Sequence, residues 1–311
     1  ILSGLVGSEM CIRDSLNRNY GITDVFMEIS ISAAWLYNRY LATGDTTFFT
    51  APVLPYGLKK PNKDFWKELY EYNKGLKSKI VIHGIDFERT EFVKVLKLLM
   101  PAGKQKPKEL LPVLNYIETT VVRNVSRDSI TMLDSVYAHV RDDIENNRDA
   151  YRQFYGTNFK LVEEIMFNEN TYHKFGWRNK TMYQNIIKQV HEQKIKKFIT
   201  MNGLNHGNMG VSGLGSLCEL LMNNPDYVDK LVNIAMTCKN CYDVQLEPEY
   251  RDAAYRAPYT YERDTTLLHS IYERFYVPEC KYRMIPAAFT GSNKAKRYSH
   301  YIILMKDQPE F

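Results

Sequence analysis

The chain has 311 residues, of which 44% are apolar and 25% charged, with a formal net charge of +5; these are the proportions of an ordinary globular protein able to bury one large core. No apolar run approaches the roughly 18 residues of a membrane-spanning helix, and Lys and Arg are scattered rather than gathered into a basic stripe interleaved with aromatics, so neither a transmembrane segment nor a nucleic-acid partner is expected. Five cysteines, Cys11, Cys218, Cys238, Cys241 and Cys280, are odd in number and dispersed, which argues against a disulfide framework.

In chain order, Ile22–Met27 is an apolar run that ends in Glu28 and is followed by Ser30 and Ser32, either of which can cap a helix carrying Ile31, Ala34, Trp35 and Leu41. Thr43, Gly44 and Asp45 stop that helix. Phe48–Lys63, with Pro52, Pro55, Gly57 and Pro61, reads as an irregular crossing, and Phe65–Lys77 resumes as a helix. Lys79–Ile85 (KIVIHGI) is a second strand, ending in Asp86. A helix begins near Thr90, with Phe92, Val95, Leu96 and Leu99 on one face. Two switches from strand period to helix period within about 80 residues are the mark of parallel β-α units. The fold class expected is α/β, a mostly parallel sheet flanked by helices.

From about residue 110 to 193 no long strand is apparent. Helical faces recur at Met132, Leu133, Val136, Tyr137 and Val140, across Ala150–Asn168 except Gly156, and at Met182, Tyr183, Ile186, Ile187 and Val190. This block reads as a helical cap or insertion whose Arg, Asn and Tyr side chains can line a cleft. Phe198–Met201 is then a short strand opening into Asn202, Gly203, Asn205, His206, Gly207 and Asn208. Leu214, Leu217, Cys218 and Leu221 share a helical face, Lys230–Met236 reads as a strand, Asn240–Thr265 shows no order, Arg283–Pro286 is a short strand or loop, and Tyr298–Met305 is the last strand.

Open α/β sheets place ligands beyond the carboxyl ends of their strands. Glu28, Asp86 and His206 all stand at such ends, which suggests one shared edge. A carboxylate at position 28 is costly to bury alone, so it caps the next helix, meets a cation, or takes part in a site. His206 can accept and return a proton near neutral pH, among glycines that permit close approach of a substrate. Arg178, beside Asn179 and near Asn185, has a guanidinium suited to a substrate oxygen or to a two-pronged contact with Asp86; pairing at the surface is an equal alternative. His83, inside the second strand, reads as a core or edge histidine.

Several signatures are absent: G-x-S-x-G, the phosphate-binding G-x-x-x-x-G-K-[ST], H-E-x-x-H and the dinucleotide G-x-G-x-x-G. Cys238-Lys-Asn-Cys241 is a single C-x-x-C pair without a second half, so incidental thiols are expected there.

VFMEIS with Glu28, AAWLYNRYLATGD, IHGIDFER, GWRNKTMYQNI and MNGLNHGNMG with His206, in this order from about Asn17 to Tyr301, together resemble the erythromycin esterase-like proteins, a branch of a wider superfamily similar also to the haem-uptake ChaN-like proteins. The resemblance implies a single α/β domain over 16–311 with a helical cap at about 110–193, and hydrolysis of a carboxylic ester or related bond by a water activated by histidine and carboxylate, with arginine assisting. Glu28 and His206 match the family's glutamate and histidine and, with Arg178 as the assisting arginine, are the expected catalytic residues; Asp86, Arg89, Asn185 and Asn205 are read as contacts for a small-molecule substrate. The family's other loop histidine falls at Gly203. Its first strand, with a glycine-glutamate turn and a histidine, falls where Ile1–Ser15 has none; Leu5–Ser15 resembles an adapter-derived translation, so residues 1–15 are expected to be a non-native leader in place of that strand, and hydrolysis is expected to be impaired by the loss. With Glu28 and one histidine too few for a catalytic zinc site, no metal and no cofactor is expected. The ChaN-like side implies the alternative, a non-catalytic haem or iron-binding module using Tyr or His.

Overall fold

The computed structural model describes residues 16–48, 60–89, 91–120, 127–168, 175–207, 215–228, 230–238, 282–286 and 301–305. The readings for Ile1–Ser15, Asn240–Thr265, Cys11, Cys241 and Cys280 lie outside the described residues.

The first unit is β1 (Asp24–Ser30), α1 (Ile31–Thr43), α2 (Lys60–Gly75), β2 (Val81–Asp86) and α3 (Glu91–Leu99). Ser30 is the cap of α1: its hydroxyl accepts from the Ala33 amide at 3.0 Å, a contact typically worth about 1 kcal/mol. Gly44 ends the helix in the left-handed region at φ 72°, a conformation that costs glycine little. The helical block comprises α4 (Leu111–Thr119), α5 (Arg127–Asn146), α6 (Arg148–Tyr155), α7 (Phe159–Met166) and α8 (Phe175–Gln193), with a 3-10 turn at Gly156–Asn158 between α6 and α7. There follow β3 (Phe198–Met201), a single helical turn α9 (Leu204–Gly207), α10 (Leu217–Met222), β4 (Ile234–Cys238), β5 (Tyr282–Pro286) and β6 (Tyr301–Met305).

Strands β2, β1 and β3 form one sheet in that order, all parallel. A second sheet has the order β4-β6-β5, with β4 parallel and β5 antiparallel to β6. The architecture is therefore α/β with mostly parallel strands flanked by helices. Three readings shift: α2 starts at Lys60, within the stretch expected to be an irregular crossing, the 230–236 strand starts only at Ile234, because Tyr227–Lys230 closes a turn, and the His206 segment is a helical turn rather than open loop.

Alternation along β1 explains why helices cover both faces of its sheet. Val25 and Met27 enter a large core with Leu36 and Tyr37 of α1, Trp66 of α2 and Leu96 of α3. Tyr37 and Trp66 stack at 3.7 Å between ring centroids. Phe26 points to the other face, with Ile85 of β2, Met182 and Ile186 of α8, and Leu217 and Leu221 of α10. Such two-sided burial is what a parallel sheet requires.

The helices α5, α6 and α7 also enter the large core, through Val140, Phe154 and Ile165 among others. Tyr137, Tyr151 and Tyr155 are buried there too, so these tyrosines pack inward instead of lining a cleft. The Tyr137 hydroxyl lies 2.8 Å from the carbonyls of Ile165 and Asn168. Among the described residues, no helix is long and apolar enough to cross a membrane.

The outer edge of β2 is closed by side-chain amides. Asn73 accepts from Ile80, Asn38 bonds both main-chain groups of Ile82, Gln189 donates to the Gly84 carbonyl, and Asn168 donates to that of Asp86. Buried backbone groups need partners, and among the described residues these amides supply them along that edge.

Candidate functional site

Because β1, β2 and β3 run in one direction, their carboxyl ends meet at one edge. Met27 is level with Gly84 on one side and Met201 on the other, so Glu28 and Asn202 stand just past the ordered ladder. Between the pairs Met27–Gly84 and Ser30–Asp86 the register shifts, and the extra residue on β1 re-aims Glu28 as a bulge does. Gly84 makes this possible. A Cβ there would lie 2.1 Å from the Ser30 carbonyl oxygen and 2.7 Å from the Ile31 nitrogen, so any side chain would push the end of β1 away.

Arg178, near the start of α8, ties the edge together. Its Nε donates to Asp86 Oδ1 at 2.8 Å and its Nη2 to Asp86 Oδ2 at 2.6 Å, the two-pronged geometry that fixes a guanidinium in orientation as well as position. The same Nη2 donates to Glu28 Oε1 at 2.7 Å. Asp86 is 1% exposed, while Arg178 and Glu28 are each 20% exposed. The cation thus faces solvent only along a narrow part of its surface, with a buried carboxylate behind it.

His206 approaches the pair from α9. Its Nε2 is 3.2 Å from Glu28 Oε1 and 3.4 Å from Arg178 Nη1. On the opposite side of the ring, Nδ1 meets Asn179 Oδ1 at 2.5 Å. The Asn179 amide nitrogen donates to the Gly215 carbonyl at 3.0 Å, so its oxygen is the atom turned to the ring and the hydrogen is assigned to Nδ1. Proton exchange then falls to Nε2, the nitrogen aimed at Glu28 and Arg178.

Burial by itself would raise the Glu28 carboxyl. Hydrogen bonding and charge from His206, the Gly203 amide at 2.7 Å and the Arg178 guanidinium outweigh that penalty and hold it at about 2. Burial likewise opposes the charge on Arg178, but the Asp86 and Glu28 carboxylates raise its proton affinity above the ordinary arginine value. Both charges of the Glu28–Arg178 pair are therefore kept at neutral pH.

The remaining expected residues divide. Arg89 lies at the rim, 36% exposed, with Nη2 3.6 Å from Asp86 Oδ2; both Arg89 and Arg178 lie over the Phe87 ring, at 5.0 and 5.3 Å. Asn185 spends its amide nitrogen on the Ile85 carbonyl at 2.9 Å and on Asn168 Oδ1 at 3.0 Å, bracing the end of β2. Asn205 belongs to the α9 turn, and its side chain lies outside the described residues. Gly203, where the resemblance expects a second imidazole, supplies a backbone N–H to Glu28 instead. Sequence reading noted Asn179 and Asn168 without roles. Asn179 stands next to Arg178 on the helix, a spacing that hints at shared duty but does not identify the ring it orients.

His83 is a satisfied core histidine. Its Nε2 meets Asp24 Oδ1 at 2.9 Å, its Nδ1 meets Gln189 Oε1 at 3.1 Å, and its ring stacks on Phe26. Cys218 is a buried thiol pushed up to about 11, mainly by desolvation. Among the described residues, no three His, Cys, Asp or Glu side chains are grouped to hold a metal ion.

Sequence comparison finds no matching family model and no similar curated protein. Three solved structures share the fold. An erythromycin esterase, EreC, in the open conformation of a mutant, superposes with a TM-score of 0.61 at 11% identity, over 96% of this chain and 86% of that one. A succinoglycan biosynthesis protein gives 0.60 at 12% identity, over 97% and 84%. A Bacillus cereus protein gives 0.57 at 14% identity, over 95% and 83%. At these identities the likeness is one of fold.

Proposed function

We propose that this chain is a hydrolase of the erythromycin esterase-like type that cleaves a carboxylic ester or related bond with an activated water. The observation that supports it most is the convergence of Glu28, Arg178 and His206 at the carboxyl edge of the parallel strands, where α/β folds bind ligands. The fold shared with an erythromycin esterase adds to it.

In this reading the His206 ring paired with Glu28 first releases its Nε2 proton, and the free Nε2 then takes a proton from water as the water oxygen attacks the carbonyl carbon. Its ring is held by Asn179, and Glu28 offsets the charge that the ring gains. Arg178 stabilises the negative oxygen of the tetrahedral intermediate; its Nη1 lies on the His206 side, away from the two-pronged contact with Asp86. Collapse of the intermediate breaks the carbon–oxygen bond to the alcohol, which receives the proton from Nε2. Arg89 meets substrate at the rim, while Asp86 and Asn185 hold the edge in shape. General-base help of this kind contributes about 10²–10⁴ in rate, and one well-placed donor to the oxyanion about 10²–10³.

The test is hydrolysis of a panel of chromogenic carboxylic esters in ¹⁸O-labelled water. One labelled oxygen is expected in the acid product and none in the alcohol. Glu28→Gln is expected to lower turnover by at least about 10²-fold with an unchanged circular dichroism spectrum. No turnover on any ester, or undiminished turnover in the variant, would overturn the assignment.

A further inference from the structure

A second carboxyl group lies behind the site and joins its two strands. Glu88 is 3% exposed, and its Oε1 accepts from the Ile31 amide at 2.9 Å and the Ser32 amide at 3.4 Å, the first amides of α1. Asn168 Nδ2 approaches the same oxygen at 3.4 Å and donates to the Asp86 carbonyl at 2.8 Å. One side chain therefore links the start of α1, three residues after Glu28, to the end of β2, where Asp86 grips Arg178. Asn185 steadies the link by donating to Asn168 Oδ1 at 3.0 Å.

The other oxygen, Glu88 Oε2, is buried without a hydrogen-bond partner, as is Oε2 of neighbouring Glu91. An unpartnered buried carboxylate oxygen is costly, and a proton on it removes the charge. The groups facing Glu88 offset a charge there only in part. They are Glu91 on α3, the Ser32 hydroxyl and the first amides of α1, Asn168 after α7 and the Tyr137 phenol on α5. Burial raises the Glu88 carboxyl to about 8 and that of Glu91 to about 7, against the opposing pull of the Ser32 and Asn168 contacts on Glu88.

We propose that Glu88 is a positioning residue: held as a neutral acid, it locks the start of α1 to the end of β2 so that Glu28 and Asp86 stay within reach of one guanidinium, and loss of its proton loosens that grip on Arg178. Its effect on turnover rests on the hydrolase reading; its effect on Arg178 does not. Ionisation places a charge on a buried carboxyl that the Ser32 and Asn168 contacts offset only in part, beside the carboxyl of Glu91, and the movement that relieves this charge acts on the two elements that Glu88 joins.

The experiment follows protein labelled with ¹³C at glutamate carboxyls and ¹⁵N at arginine side chains through pH 6–10 by NMR, with the Arg178 Nε–H signal assigned from Arg178→Lys. A glutamate carboxyl is expected to titrate near pH 8, to vanish in Glu88→Gln, and to shift the Arg178 signal in step with it. In Glu88→Gln, whose neutral amide keeps the Oε1 acceptor, the Arg178 signal is expected to hold steady across the range. Ester turnover in that variant should remain within about threefold of wild type at pH 7 and outlast it above pH 8, whereas Glu88→Ala should lose at least tenfold. An Arg178 signal indifferent to the titration near pH 8, or persistence of that titration in Glu88→Gln, as distinct from the one near pH 7 expected of Glu91, overturns the proposal. Absence of turnover in wild type alongside the coupled NMR shifts refutes the hydrolase reading and leaves the role of Glu88 standing.

Discussion

His206 and His83 are built alike and end up in different chemical positions. Each ring is nearly fully buried, has a carboxylate at Nε2 and an amide oxygen at Nδ1, and each amide is fixed by donating to a glycine carbonyl. A carboxylate–histidine–amide trio is thus no mark of a site by itself. What separates them is the third partner. Asp24 meets His83 at 2.9 Å inside the sheet, beside the Phe26 ring, while Glu28 is shared with a guanidinium and lies 3.2 Å from His206 beyond the strand ends. Under the proposed function, proton transfer belongs to the ring that shares its carboxylate with a cation, and packing to the ring stacked within a strand pair.

The largest expected effect comes from removing the cation that makes the difference. Arg178→Ala leaves Asp86 buried without its partner, which should cost about 3–5 kcal/mol in urea unfolding and lower ester turnover by at least about 10²-fold. A stable, active variant would place the two histidine centres on an equal footing.

A smaller effect concerns acid. Glu28 is lowered from 4.5 to about 2 in the folded chain, so its contribution to stability is fully present above pH about 4.5 and is lost as pH falls through 2. The difference is on the order of 3 kcal/mol. Unfolding measured from pH 7 down to 2 should show this acid-side decline, and Glu28→Gln should remove that part of it. The smallest effect belongs to the rim: Arg89→Ala is expected to change stability by less than about 1 kcal/mol, since its contact to Asp86 is long and partly exposed. A larger loss would mean that Asp86 depends on both arginines.

Much of this was legible before any coordinates. The end of β2 at Asp86 follows from an apolar run broken by a carboxylate, and the helices from three- and four-residue spacing, while β1 runs two residues beyond the expected end at Glu28. The two-pronged contact of Arg178 with Asp86 was open among alternatives, because sequence cannot say which of several carboxylates lies across a cleft. The bulge at Glu28 was illegible: it depends on the pairing of β1 with β2 and on Gly84, whose lack of a side chain matters only once the Ser30 carbonyl is known to press on it. The amides along the edge of β2 were equally hidden. Asn38, Asn168 and Gln189 bond main-chain groups 44, 82 and 105 residues away, and nothing local distinguishes them from solvent-facing amides. The inward tyrosines of the helical block were misjudged for a related reason, as a phenol fits a core when a carbonyl is there to take its hydroxyl.

The difference between the two imidazoles is tested most directly by measuring ester hydrolysis and urea unfolding for His206→Ala and His83→Ala side by side. The expected result is a crossed one: turnover falls by about 10²–10⁴ in His206→Ala and stays within about threefold of wild type in the folded fraction of His83→Ala, which instead loses about 2–4 kcal/mol of stability. Equal turnover in the two variants would contradict the assignment of proton transfer to His206.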